Sequence, residues 1–202
     1  LLGGGGGTAT VMADAAERIG LVVPALPDGL QQRLRELLAP TSNVSNPVEL
    51  AGAAEDSFAV YETCAAALLE ADAIDAVVLF GSFGGFRLEL ETEAHNYRST
   101  ARRFGELARL VGKPFMVQSY FAGDALPAFE VLREERIPAF ASPETALRCL
   151  AALAEAAGLR EAASSQPASA PAQAGSDRLL DFEDARSLLA AKGLDVVPSA
   201  RA

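Results

Sequence analysis

The sequence predicts an α/β fold: a doubly wound parallel sheet of five strands with helices on both faces, followed by a linker and the opening of a second domain. Two observations carry this. Over the first 159 residues, short apolar runs alternate with segments of helical period, and connections between them are short, which argues a parallel sheet with right-handed crossovers. The central run, Ala76-Val77-Val78-Leu79-Phe80, has no polar alternation, as in a strand covered on both faces, and it empties into Gly81-Ser82-Phe83-Gly84-Gly85.

In chain order, Leu1-Leu2 ahead of Gly3 to Gly7 reads as the end of a strand whose beginning is missing, so the chain is expected to start inside a domain. Val11, Ala15 and Ile19 recur at helical spacing, and Gly20 ends that helix. Leu21-Val22-Val23 reads as the second strand, bracketed into the next helix (Leu30, Leu34, Leu37, Leu38) by Pro24 and Pro27, with Pro40 as its stop. Residues 42–50, with Asn46-Pro47 inside, read as a polar loop. Phe58, Tyr61, Ala65, Leu68 and Leu69 mark a helix that hands over to the central strand. After Arg87, residues 88–96 are acidic and resist assignment, and 97–111 read as a helix carrying Phe104, Leu107 and Val111. Residues 113–119 read as turn then strand, 123–136 as a helix, and 137–140 as a short edge-like strand. Ser142-Pro143-Glu144 opens a helix running to Gly158. From there Ala, Ser, Pro and Gln predominate and read as a disordered linker. A helix starting at Asp181 and ending at Gly193, then a strand opening at Leu194-Asp195-Val196-Val197-Pro198, begins a second domain.

Five strands so connected suit the flavodoxin-like order 2-1-3-4-5. The glycine run after strand 1 and the turn after strand 3 then lie side by side at the topological switch point, where ligands of open parallel sheets bind. Glycines there let backbone N–H groups approach an anion at a helix N-terminus, which makes Gly84 and Gly85, with Gly4, Gly5, Gly6 and Gly7 as a second loop, the candidate site. A structural reading stands beside it: the glycines of the turn serve only to turn a tight corner. No Gly-x-Gly-x-x-Gly register fits, and no Lys-Ser/Thr completes a phosphate loop.

With 17 Lys+Arg against 27 Asp+Glu, the net charge of −10 argues against nucleic acid or an anionic membrane surface as partner. No apolar run approaches the roughly 20 residues that span a bilayer, and a cytoplasmic protein is expected. Cys64 and Cys149 each fall in an alanine-rich helical pattern and read as free thiols, with no metal site. His95, the sole histidine, reads as a surface residue of a polar loop and is assigned no role. Arg98, Arg102 and Arg109 read as a solvated helix face.

A glycine-rich strand-to-helix turn running into Ala13-Asp14-Ala15-Ala16-Glu17 comes first in a series of motifs. Asn46-Pro47-Val48-Glu49-Leu50, Phe83-Gly84-Gly85-Phe86, Lys113-Pro114-Phe115-Met116-Val117 and Ile137-Pro138-Ala139-Phe140 with Ser142-Pro143-Glu144 follow in turn. In order and spacing they resemble the nucleoside-diphosphate-forming acyl-CoA synthetases. Residues 1–159 are similar to their C-terminal flavodoxin-like CoA-ligase domain, which also closes the beta subunit of succinyl-CoA synthetase. Residues 160–176 are the linker, and 177–202 resemble the beginning of the ATP-grasp domain of single-chain members.

The resemblance implies a relay in which acid, CoA and ATP interconvert with acyl-CoA, ADP and phosphate through an acyl phosphate and a phosphorylated histidine. Gly84, Gly85 and the N–H groups of Phe86 and Arg87 match the phosphate-facing turn, and Asn46 matches an asparagine facing the same pocket. No catalytic residue is expected in this chain, since the histidine belongs to a preceding domain. CoA and ATP with Mg are implied as substrates of the whole enzyme, none held tightly by this chain. Its implied partners are the upstream CoA-binding and phosphohistidine domains and the downstream ATP-grasp domain, in a homo-oligomer. Departures include Thr8-Ala9 where the family often has Pro-Gly, and the acidic segment after Arg87; Glu49 stands where the family commonly has an acid. The alternative is a CoA-binding regulatory module of a protein acyltransferase or related multidomain protein in which ligase chemistry is lost.

Overall fold

A computed structural model describes residues 1–51, 57–85, 91–165 and 182–193. It divides into two compact units, Leu1–Ala157 and Gly158–Ala202. In the first, the elements run β1 (Leu2–Gly3), α1 (Gly6–Ile19), α2 (Asp28–Leu37), β2 (Val48–Glu49), α3 (Phe58–Glu70), β3 (Val77–Phe80), α4 (Glu91–Val111), β4 (Phe115–Gln118), α5 (Pro127–Glu134) and β5 (Ala139–Phe140). Then α6 spans Pro143–Ser165. The five strands form one sheet in the order β2-β1-β3-β4-β5, every pair parallel. This is the flavodoxin-like order expected.

Alternation along the strands builds a core on each face. Val77, Leu79, Phe115 and Val117 join Leu34, Leu68, Phe104 and Leu132 in one cluster, so α2 to α5 cover that face. Val78, Phe80 and Met116 join Met12, Ala16 and Leu147 in the other, under α1 and α6. All four residues of β3 are buried, which is why the central run carries no polar residue.

The second strand is not where the sequence reading put it. Residues 21–23 form no strand. Gly20 adopts φ 86°, its N–H donates to Glu17 O, and the Leu21 N–H donates to Ala16 O, so Leu21 is spent on a Schellman stop to α1. Val22 is left 83% exposed. The strand lies instead in the segment read as a polar loop. Val48 and Leu50 are fully buried, and their N–H groups donate to Leu1 O and Gly3 O along β1. A two-residue strand between polar residues and a proline leaves little periodicity to read, and an edge position is where proline is tolerated.

Three further boundaries differ. Helix α4 begins at Glu91, so His95 lies on a helix rather than in a loop, and is exposed. Helix α5 is shorter than read, with Leu126 as its N-cap. Helix α6 passes Gly158 without a break, so residues 160–165, assigned to the linker, are helical; alanines on both sides of the glycine supply the propensity. The rest of the linker, residues 166–176, lies outside the described residues, as do Phe86, Arg87, residues 88–90 and the expected strand at 194–198. In the second unit, α7 (Phe182–Ala191) ends as expected, at Gly193 with φ 78°. Among the described residues, no helix is long and apolar enough to cross a membrane.

Candidate functional site

Because β1, β2, β3 and β4 are parallel, the segments that leave them gather at one edge of the sheet. Strand β1 leads through Gly4 and Gly5 into α1. The register pairs Gly3 with both Glu49 and Phe80, so the exits of β1, β2 and β3 are level. A side chain at Gly3 would stand 2.1 Å from Phe80 O, and one at Gly81 2.9 Å from Gly4 O. The strands thus meet too closely at this edge for anything but glycine, and Gly81 also needs its φ of 115°. The two glycine segments are neighbours, as the strand order required.

Helix α1 starts without a side-chain cap: its N-cap is Gly5, and its first turn carries no acid. The amides there add to the positive end of the helix dipole. Among the described residues no atom lies within 4 Å of where a Cβ at Gly4 or Gly7 would stand, so their packing does not explain these two glycines. Beside them, the Glu49 carboxylate reaches to 3.2 Å from the Cβ position of Gly6. From β4, the exposed Tyr120 turns its hydroxyl onto Thr8 Oγ1.

The turn after β3 is built differently. The Gly85 N–H donates to Ser82 O at 3.4 Å, closing a turn whose third residue, Gly84, has φ 91°. Phe83 plugs this turn into the core, edge-on to Tyr97 and Tyr61 and against Phe104. A side chain at Gly84 would meet Phe129 at 3.0 Å, and one at Gly85 would overlap Phe121, 2.1 Å from its Cγ. Geometry therefore requires both glycines of the turn, whatever the turn binds.

Asn46 does not join them. It precedes β2, at the opposite, amino edge of the sheet, where its Oδ1 accepts from Leu1 N (2.8 Å) and its Nδ2 donates to Pro24 O (3.1 Å). A cleft of about 470 Å³ opens at that edge, lined by Asn46 with Val22, Ile74, Val78 and Leu150 among others, remote from the glycine exits. In place of Asn46, the β2 motif lends the carboxyl edge its last strand residue, Glu49. The sequence could have signalled this, because strand alternation and direction put Glu49, not Asn46, at the exit.

Other candidates stay apart. Burial pushes the Cys64 thiol from 9.0 up to about 11, which suits an inert core thiol; Cys149 is half-buried. Among the described residues, no three His, Cys, Asp or Glu side chains come together as a metal site.

The family model described as the Ligase-CoA domain matches residues 1–164. No curated protein matches the sequence. Among solved structures, the chain is similar to PH0766 from Pyrococcus horikoshii OT3, with a TM-score of 0.64 and 25% identity over 78% of this chain and 35% of that one. It shares its fold with dinucleotide forming acetyl-coenzyme A synthetase 1 of Ca. Korarchaeum cryptofilum. The apo form gives a TM-score of 0.61 and 23% identity over 79% of this chain and 33% of that one. The complex with phosphate and ADP gives 0.62 and 22% over 83% and 35%. The chain thus spans about a third of the length of these proteins. With its five-stranded parallel sheet and a match over residues 1–164, the chain belongs to the Ligase-CoA domain family.

Proposed function

We propose that this domain is part of an NDP-forming acyl-CoA synthetase and contributes half of a pocket that receives an acyl phosphate and a phosphorylated histidine. The observation that carries the proposal is the pairing, at one sheet edge, of an uncapped glycine helix start with a glycine turn, in a chain of the Ligase-CoA family. One solved relative of the fold is a synthetase in complex with phosphate and ADP, which supports the same reading.

In this reading the domain supplies backbone donors and no acid or base. Fixed N–H groups hold a transferring phosphoryl group without competing for its protons, and they need no reorganisation as charge shifts. The histidine, CoA and ATP with Mg are supplied by other domains of the same protein or of a partner subunit, ATP-grasp among them. Phe86 and Arg87, which lie outside the described residues, enter this proposal as the positions that match the family's phosphate-facing motif. Asn46 is reassigned to holding the amino edge, and Glu49 is the residue of the β2 motif whose side chain reaches the start of α1, with no acid–base role.

Gly7→Ala, made in the synthetase that contains this domain, tests the proposal. Alanine is the better helix former, and no atom of the described residues lies within 4 Å of where its methyl would stand. Stability should hold or rise while enzyme phosphorylation falls by roughly a hundredfold, the cost of displacing a reacting group by about 1 Å. Unchanged phosphorylation in a folded Gly7→Ala enzyme would refute the reading.

A further inference from the structure

Two of the three buried polar side chains among the described residues, Gln118 and Ser119, are adjacent, one the last residue of β4 and the other the residue after it. Both are spent on the neighbouring turn. Gln118 Oε1 accepts from the Gly81 N–H at 3.1 Å, while its Nε2 donates to Ala141 O at 3.0 Å. Ser119 Oγ donates to Phe83 O at 2.7 Å and accepts from the Phe121 N–H at 3.2 Å. The next residue adds a third tie, Tyr120 N–H to Gly81 O at 3.0 Å. The end of β4 therefore grips the turn after β3 at both its entry and its middle.

From this we infer that Ser119 is a positioning residue that fixes the direction of the Gly84 N–H, an inference that rests on the phosphate reading above for its role in catalysis. A trans peptide points its C=O and N–H in opposite directions. Every described peptide bond except Asn46-Pro47 is trans, so Phe83 O held towards Ser119 sends the Gly84 N–H away from β4. Gly81 O, held by Tyr120, does the same for the Ser82 N–H. Among the described residues neither N–H meets an acceptor. On the side they leave by stands the exit of β1, with Gly4 O close against Gly81. Glycine at 84 makes the Phe83-Gly84 peptide easy to flip, so a hydroxyl in a buried site is what holds it. Ser119 also seats Phe121, whose ring lies over Gly85, and so joins the turn to the loop after β4.

The test uses amide NMR on the 202-residue chain with Ser119→Ala and Ser119→Cys, the latter keeping a weak donor at nearly the same volume. Ser82 and Gly84 resonances should move in the alanine variant and move less in the cysteine variant. Inorganic phosphate should bind at least tenfold more weakly to the alanine variant, with cysteine between, while resonances of the amino edge stay in place. The graded series keeps the test decisive if alanine prevents folding. Identical Ser82 and Gly84 resonances and identical phosphate affinity in all three proteins would overturn the role of Ser119 and leave the phosphate reading standing. Resonances that shift on substitution in a chain whose wild-type amides ignore phosphate would uphold the clamp and remove the phosphate reading instead.

Discussion

Gly84 and Gly85 look alike in the sequence and are required for different reasons. Gly84 needs its positive φ, and Gly85 needs room beneath Phe121, so a substitution at either disturbs the turn before it tests any ligand. Gly4 and Gly7, two members of a low-complexity run, are positions that packing among the described residues leaves free. Spacing pointed to both loops but could not rank them, because ranking depends on side chains such as Phe121 and Phe129 that lie about 36 and 45 positions further on. The two thiols separate equally sharply. With its pKa pushed up to about 11, Cys64 holds roughly a hundredfold less thiolate near pH 8 than a thiol at 9.0, so disulfide reagents should modify Cys149 first and Cys64 only on unfolding. The raised value also means the folded state keeps a proton that the unfolded chain gives up. Stability from this group is intact below about pH 9 and falls as pH rises towards 11. Equal labelling rates in the native protein would contradict the burial of Cys64.

At the scale of elements, a sequence reading succeeds where burial is uniform. Strand β3 was legible because both its faces are covered, and α7 because glycine ends it. Strand β2 was not, since only two residues pair and the better apolar run, at residues 21–23, serves the end of α1. The two segments give opposite predictions. Leu50→Ala empties a fully buried site beside β1 and should cost about 2–5 kcal/mol, whereas Val22→Ala, at an 83% exposed position, should stay within about 0.5 kcal/mol. Urea titrations of the two variants decide it, and a larger loss at Val22 would return the second strand to residues 21–23. The clamp at the end of β4 was illegible for a related reason. Gln118 and Ser119 follow three apolar residues and read as the strand fading into a loop, while the partners Gly81, Phe83 and Ala141 lie 23 to 37 positions away.

For the whole molecule, strand order decides which loops can cooperate. Once alternation had given a parallel sheet, the order β2-β1-β3-β4-β5 set the exits of β1 and β3 side by side, and both belong to the amino-terminal unit. The same topology removes Asn46 from the site, since a residue before a parallel strand lies at the other edge from a residue after one. An anion is therefore predicted to bind at the carboxyl edge, between the exits of β1 and β3. Titrating the isotopically labelled 202-residue chain with inorganic phosphate, against chloride at equal ionic strength, tests this most directly. The amides of Gly6, Gly7, Ser82 and Gly84 should shift together along one binding curve, with Val22, Asn46 and Ile74 unmoved. Shifts confined to the amino-edge cleft, or none at the glycine exits, would contradict the assignment of the carboxyl edge as the phosphate site.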